Sequence, residues 1–489
     1  MKKCLALIIA MVFLLLAGCE NVEYAQSTPQ SNVSTDLYED LNSRLPMAEG
    51  EIEDQQFVIV TNDSAAFYQE ESTAGSINRV LEERNTFLRE KYGADVEVYE
   101  FTAEELTEEL KSSLLTRQDF CDMISVSAED TVKLYTAGLL MDMNTLPDFD
   151  LESGYFNKKQ SRSLATNQSL YMLADPTALY YDEAYVMFYN RDVCPDPEGV
   201  ESIESLVMQG KWTWDRFDEY QRLAAAEVYR KWGGDIETDL FAFGAYYLET
   251  IYPLTLWTSC GHKLVDNTYK NPVEISMESE DAITIAEYLM SVYNVVGKYP
   301  LEGEHARIAF EDNRLAFFCN KLSYIYALRD GTSMGSQYGF VPMPKYNEEQ
   351  EEYHCLASND ARVISVPITV ADDTEARRKF VSHVISATCA AGGETMNQAY
   401  VNSLLAVYMN TNEETVMLKT ICDSVTFDFA TVYGSGISEI ATPTIKAIAD
   451  YLDYGSGISS SLRRGQEAFA EYCNQHFNPV TEESENAQE

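Results

Sequence analysis

Phe57-Val58-Ile59-Val60, Val96-Glu97-Val98-Tyr99-Glu100-Phe101 and Cys121-Asp122-Met123-Ile124-Ser125-Val126 are three short apolar or alternating runs, and their spacing decides the fold class. Each run reads as a strand, and each is followed by a helical pattern. After the first comes a loop, Thr61 to Ser76, that holds Asn62, Asp63, Ser64 and Tyr68. A helix then places Ile77, Leu81, Arg84 and Leu88 on one face, with Gly93 as its stop. Thr102 with Glu105 makes a capping box for a helix through Leu106, Leu110 and Leu114. Ser127 with Asp130 caps a third, which stops at Gly138. The order βαβαβα implies a parallel sheet covered by helices, an α/β fold.

Downstream, Leu170–Leu173 and Tyr185–Asn190 read as strands. Helices are expected at about 214–231, 279–296, 374–391, 397–408, 413–424, 438–453 and 459–476. Short strands interrupt them at Arg314–Phe318, Tyr338–Val341 and Arg362–Val366. One hexapeptide, Tyr433-Gly-Ser-Gly-Ile-Ser438, recurs at Tyr454–Ser459. In each copy Gly ends one helix and Ser caps the next.

Upstream, Lys2 and Lys3 precede an apolar run from Leu5 to Leu16, and Leu16-Ala17-Gly18-Cys19 closes it. The run is shorter than the roughly 20 residues that cross a bilayer as a helix, so it reads as a secretory signal. Its end resembles the lipobox of bacterial lipoproteins. The resemblance implies that Cys19 is lipidated, becomes the mature N-terminus and anchors the chain to the outer face of the cell membrane. Residues 19–54 are polar and acidic and read as a flexible tether; 481–489 is an acidic tail.

The 489 residues carry 35 Lys and Arg against 79 Asp and Glu, a net charge of −44. Loss of the leader leaves 33 against 79, a net of −46. That excess repels phosphates and excludes nucleic acid as a partner. Of ten cysteines, eight remain beyond Cys4 and Cys19, with no CxxC pair and no spacing that suits zinc. Their pairing is not written in the sequence.

The motifs that carry chemistry are weak. Gly331-Thr332-Ser333-Met334-Gly335 matches GxSxG, but a helix precedes it where a nucleophile elbow needs a strand. Asp148-Phe149-Asp150-Leu151-Glu152 lacks the glycine and spacing of a calcium loop and reads as a solvated acidic loop. No Walker loop, GxGxxG or HExxH occurs, and five histidines are scattered. Acid pairs for glycoside hydrolysis are set in space and stay open. No cofactor and no metal are expected, and nothing in the sequence requires an enzyme.

Four segments, in order, resemble extracellular solute-binding proteins of the sugar-binding type that serve ABC importers. Tyr189-Asn190-Arg191-Asp192 is similar to their YNKD strand end, and Gly210-Lys-Trp-Thr-Trp-Asp-Arg-Phe217 to their GKWTWDxF segment. Glu311–Phe318 resembles their FxxGKxAF strand, with Asn313-Arg314 in place of Gly-Lys. Gly339–Tyr346 resembles their GxxPxPK segment. The likeness spans about 55–475. It implies two α/β lobes of the periplasmic-binding-protein type II class, joined by crossing strands, with ligand held in the cleft by hinge closure. Lobe 1 would hold 55–182 and 307–358, and lobe 2 would hold 187–304 and 363–476. Crossings would fall near Asp182–Tyr185, His305 and Asp360.

The resemblance further implies a carbohydrate ligand, an oligosaccharide, and ABC permease transmembrane subunits as partners of a monomer. Sensing for a surface receptor and surface glycan hydrolysis are the alternatives. Open α/β sheets bind ligand at the carboxyl ends of their strands. That selects Asn62, Ser64 and Tyr68 after the first strand and Ser125 and Ser127 at the third. Trp257 precedes Gly261-His262-Lys263-Leu264 much as a sugar-stacking tryptophan precedes a glycine turn in maltose-type relatives. Asp360, Arg362 and Tyr433 lie near expected crossings or loops and suit sugar hydroxyls or stacking. Thr213 reads as a helix N-cap, with Trp212 and Trp214 as packing residues.

Overall fold

The three opening runs become β1 (Gln55–Thr61), β2 (Ala94–Glu100) and β3 (Met123–Ser127). The computed structural model describes residues 33–47, 54–64, 67, 75–166, 168–193, 201–231, 237, 239–246, 251–263, 265–266, 274–275, 280–281, 283–285, 287–288, 301–331, 338–408, 411–435, 460, 463, 467 and 471. In it β1 pairs parallel with both β2 and β3. β12 (Arg362–Ser365) adds antiparallel to β3, which gives the order β12-β3-β1-β2.

Alternation along β1 sends its side chains to two covered faces. Phe57 meets Phe380 edge-on at 6.2 Å, on the helix Glu375–Tyr408. Val60 joins Leu106 and Leu110 of the helix Ala103–Thr116 in one apolar cluster with Ile124, Val126 and Leu134. The caps read from sequence are present. Thr102 and Glu105 form the capping box, and Ser127 caps the helix Ala128–Thr136. In the helix Gly75–Tyr92 the predicted face is buried, with the Arg84 guanidinium 5.6 Å from the Phe67 ring centre. Gly93 ends it at φ 70°, in the left-handed region.

A second sheet contains β4 (Tyr185–Asn190), β5 (Phe241–Ala245), β8 (Leu301–Glu302), β9 (Leu315–Lys321) and β10 (Tyr338–Val341), in the order β10-β4-β9-β5-β8. β5 runs parallel to β8 and β9, and β4 antiparallel to β9 and β10. Two-residue ladders complete the set: β6 (Val265–Asp266) with β7 (Glu274–Ile275), and β11 (Cys355–Leu356) with β13 (Val425–Thr426). The α/β class is as expected.

The expected strand distribution needs correction. β9 and β10 lie in 307–358, assigned by order to the first lobe, yet they pair with β4 and β5. β12 lies in 363–476 or at its border, assigned to the second lobe, yet it closes an edge of the first sheet. The reason for β9 is its composition. Leu315–Asn320 is buried on both faces, and such a strand needs a central position, here between β4 and β5. The chain therefore passes between the sheets within 174–184 and within 342–361. His305 marks no passage; it sits in the helix Gly303–Glu311 between β8 and β9.

Three smaller expectations also change. Leu170–Leu173 forms no ladder beyond one bridge from Leu173 to Ile364. Within the expected tether, Val33–Arg44 forms a helix, in keeping with the i, i+4 spacing of Leu37 and Leu41. The helices expected at 374–391 and 397–408 are one, Glu375–Tyr408. Gly392 lies inside it, where a Cβ would collide with Thr177 Oγ1, whose hydroxyl donates to Thr388 O at 3.2 Å. The glycine serves close approach, not termination. Gly392→Ala should therefore destabilise by roughly 1–3 kcal/mol through overpacking, read as a lower urea midpoint, although alanine is the better helix former.

The motif segments converge around the second sheet. Trp214 N donates to Lys345 O at 2.9 Å and Lys345 N to Trp212 O at 3.0 Å. Trp212 Nε1 donates to Pro342 O at 3.1 Å, and Asn190 Nδ2 to Asn313 Oδ1 at 2.9 Å. Trp212 and Trp214 are buried, as expected, and Thr213 Oγ1 accepts from Arg216 N at 3.4 Å. The acidic loop is tied down: Asp148 meets His383 Nε2 at 3.0 Å, and Glu152 pairs with Lys158 and Arg162. Cys121, Cys260, Cys319, Cys355, Cys389 and Cys422 are buried free thiols. Cys19, Cys194, Cys473, Tyr68, Thr332–Gly335, the second hexapeptide and the helices expected at 438–453 and 459–476, bar isolated positions, lie outside the described residues.

Candidate functional site

β1 and β3 both end on the same edge of the first sheet, at Thr61 and Ser127. Arg362 opens the antiparallel β12 directly opposite Ser127, so its side chain starts from that edge. In the second sheet β9 ends at Lys321, opposite Tyr185, the first residue of β4. The passage 174–184 runs to both edges. Leu322 N donates to Ala184 O and Ser323 N to Asp182 O, each at 2.8 Å. Ser358 N, on the other passage, donates to Glu183 O at 2.8 Å.

Charged side chains fill the space between. Arg362 donates from Nε to Ala178 O at 2.9 Å and from Nη2 to Leu179 O at 3.2 Å, and its Nη1 pairs with Asp63. Lys321 Nζ lies 2.8 Å from Glu183 and also pairs with Asp360. Ser358 Oγ donates to Glu183 Oε2 at 2.5 Å, and Tyr326 Oη to Asp182 Oδ2 at 3.4 Å. Burial pushes the Asp182 carboxyl up to about 6, against the pull of Arg362, which favours the anion. Burial would lower Lys321, but Glu183 and Asp360 outweigh it and hold the ammonium charged.

Two cations thus face four carboxyl groups. The cations are mostly covered, with 15% of the Arg362 and 18% of the Lys321 side chain exposed. Their partners Asp63 and Asp360 remain 47% and 66% exposed. Exposed carboxylates on buried cations can trade an internal partner for a ligand hydroxyl without stranding a charge.

Several residues selected from sequence come together here. Asp360 and Arg362 belong to the network. Ser127 faces Arg362 in register but spends its hydroxyl on Asp130. Asn62 is exposed beside Asp63, and Ser64 is half-buried, its carbonyl accepting from Phe67 N at 2.9 Å. Ser125 lies fully buried in β3, its hydroxyl without a partner among the described residues.

Trp257 and Tyr433 do not join it. Trp257 is 1% exposed in the helix Ile251–Ser259, its ring 4.9 Å from His262. Tyr433 is fully buried, donates to Leu164 O at 2.9 Å and packs on Phe429 at 4.3 Å. Stacking needs an open ring face, and neither residue has one. Sequence reading missed Lys321 and Glu183. Glu183 was within reach, since Asp182–Tyr185 was an expected crossing; Lys321 required knowing that β9 ends opposite β4.

Among the described residues no group of three or more His, Cys, Asp or Glu is placed to hold a metal ion. Among them, too, no helix is long and apolar enough to cross a membrane. No protein-family model matches the chain, and no curated protein is significantly similar to it.

Proposed function

We propose that the chain is the solute-binding component of an ABC importer, a lipoprotein anchored through Cys19 that captures an oligosaccharide between two lobes of the type II class. One observation carries the reading: carboxyl ends of strands from both sheets meet two chain passages in a single charged network, where open α/β sheets take ligands. The order of the four motif segments supports it, as does their packing around the second sheet, which leaves them structural and leaves ligand recognition to the loops. Closure would bring the network's exposed carboxylates onto sugar hydroxyls, and the closed form would be what the permease recognises.

Isothermal titration of the mature chain against mono- and oligosaccharides tests the reading. An oligosaccharide should bind, and Arg362→Ala should weaken it by roughly 10- to 100-fold, the worth of charge-assisted hydrogen bonds. Binding of peptides and of no sugar would refute it. Cys19→Ser should release the protein into the medium with sugar affinity unchanged, as fractionation and titration of the released protein would report; retention on the membrane would refute the anchor.

A further inference from the structure

A pocket of about 260 Å³ is lined in part by the same passages. None of Asp63, Asp182, Glu183, Lys321, Asp360 or Arg362 lines it. Consecutive residues divide between the two places: Asp182 and Glu183 go to the network, Tyr180 and Tyr181 to the pocket. The volume equals that of roughly nine liquid waters, enough for one sugar ring and too little for two.

The lining defines the occupant. Tyr181 is 1% exposed, and its hydroxyl has no hydrogen-bond partner among the described residues. Buried to that degree, the ring closes the floor of the pocket. His354 Nδ1 lies 3.1 Å from Thr426 Oγ1, which leaves Nε2 for another partner. Burial lowers the imidazole to about 4, so it is neutral at physiological pH and both donates and accepts. Asn397 adds an amide from the helix Glu375–Tyr408. Lys159 of the lining pairs with Glu352, and Asp423 adds an acid, so among the described residues no unpaired cation lines the pocket to meet an anion. The polar lining likewise excludes an apolar guest.

We propose that this pocket is a second site, separate from the network, for one neutral polyhydroxylated molecule the size of a single pyranose. His354 Nε2 and the Asn397 amide bind its hydroxyls. Ligand there touches the passage that carries Asp182 and Glu183, so occupancy bears directly on the segments between the sheets.

The test is titration of the mature chain with a panel of pyranose monosaccharides, glucose, galactose, mannose and N-acetylglucosamine. At least one should bind saturably. His354→Phe should weaken it tenfold or more, and Asn397→Trp, which fills the pocket from a half-buried position, should abolish it with circular dichroism and Tm retained. Arg362→Ala should leave this binding in place even where it weakens an oligosaccharide, which separates the pocket from the cleft reading. No monosaccharide binding, or binding that survives Asn397→Trp, or binding lost only with Arg362→Ala, would overturn the proposal.

Discussion

Trp214→Ala is expected to cost roughly 3–5 kcal/mol of stability, the range for emptying a large aromatic site in a core. The indole is fully buried at the start of the helix Trp214–Lys231. Its ring meets Phe217 edge-on at 5.3 Å, and Phe217 in turn meets Phe317 of β9 at 5.1 Å and Phe243 of β5 at 6.0 Å. Nε1 donates to Ser259 Oγ at 3.0 Å, which ties this helix to Ile251–Ser259. Alanine removes the ring and that bond together but keeps the backbone bond to Lys345. The loss therefore reports packing between helix and sheet. Urea denaturation followed by far-UV circular dichroism should show the drop in midpoint at unchanged slope. A loss below about 1 kcal/mol, with sugar binding abolished, would move Trp214 from the core into the ligand site.

That tryptophan also marks where the sequence was legible. Local signals carried far: the Thr102 capping box, the Ser127 cap, the three opening strand runs and the Gly-Lys-Trp-Thr-Trp segment all depend on neighbours within a few residues, and their geometry is as read. Pairing depends on distant partners. Nothing near Leu315–Lys321 says that it lies between β4 and β5, although its burial on both faces requires a central place. The single helix Glu375–Tyr408 was not read for the same reason: its Gly392 packs on Thr177, more than two hundred residues earlier. Of the candidate site, Asp360 and Arg362 were found because a crossing was expected near them. Trp257 and Tyr433 were selected for their chemistry alone, and the same chemistry suits a core.

The Asp175 carboxyl should lower stability as pH rises from about 4 to 8, in opposition to His354, whose buried imidazole, lowered to about 4, raises stability up to about pH 6.5. Burial pushes the Asp175 carboxyl up to about 7, against hydrogen bonds from the Thr177 and Asn157 backbones and the Cys389 thiol that favour the anion. Asp122 is raised to about 6 by burial despite Arg377, and Asp182 to about 6 despite Arg362. The unfolded value is near 3.9 for each. A folded value above the unfolded one means that the native state holds more protons between the two. The stabilisation is then complete below about 3.9 and lost as pH climbs through 6 and 7. The net charge of −44 acts in the same direction, since deprotonation adds self-repulsion. Asp175→Asn isolates one group. Its carbonyl oxygen can still accept from Thr177 N, as Oδ1 does at 3.0 Å, but it never ionises. The stability difference between variant and parent should therefore shift in favour of the variant by roughly 3 kcal/mol between pH 5 and pH 8, read from urea midpoints at each pH. A difference that stays flat over that range would mean that Asp175 is already ionised at pH 5 and that its buried site holds a charge after all.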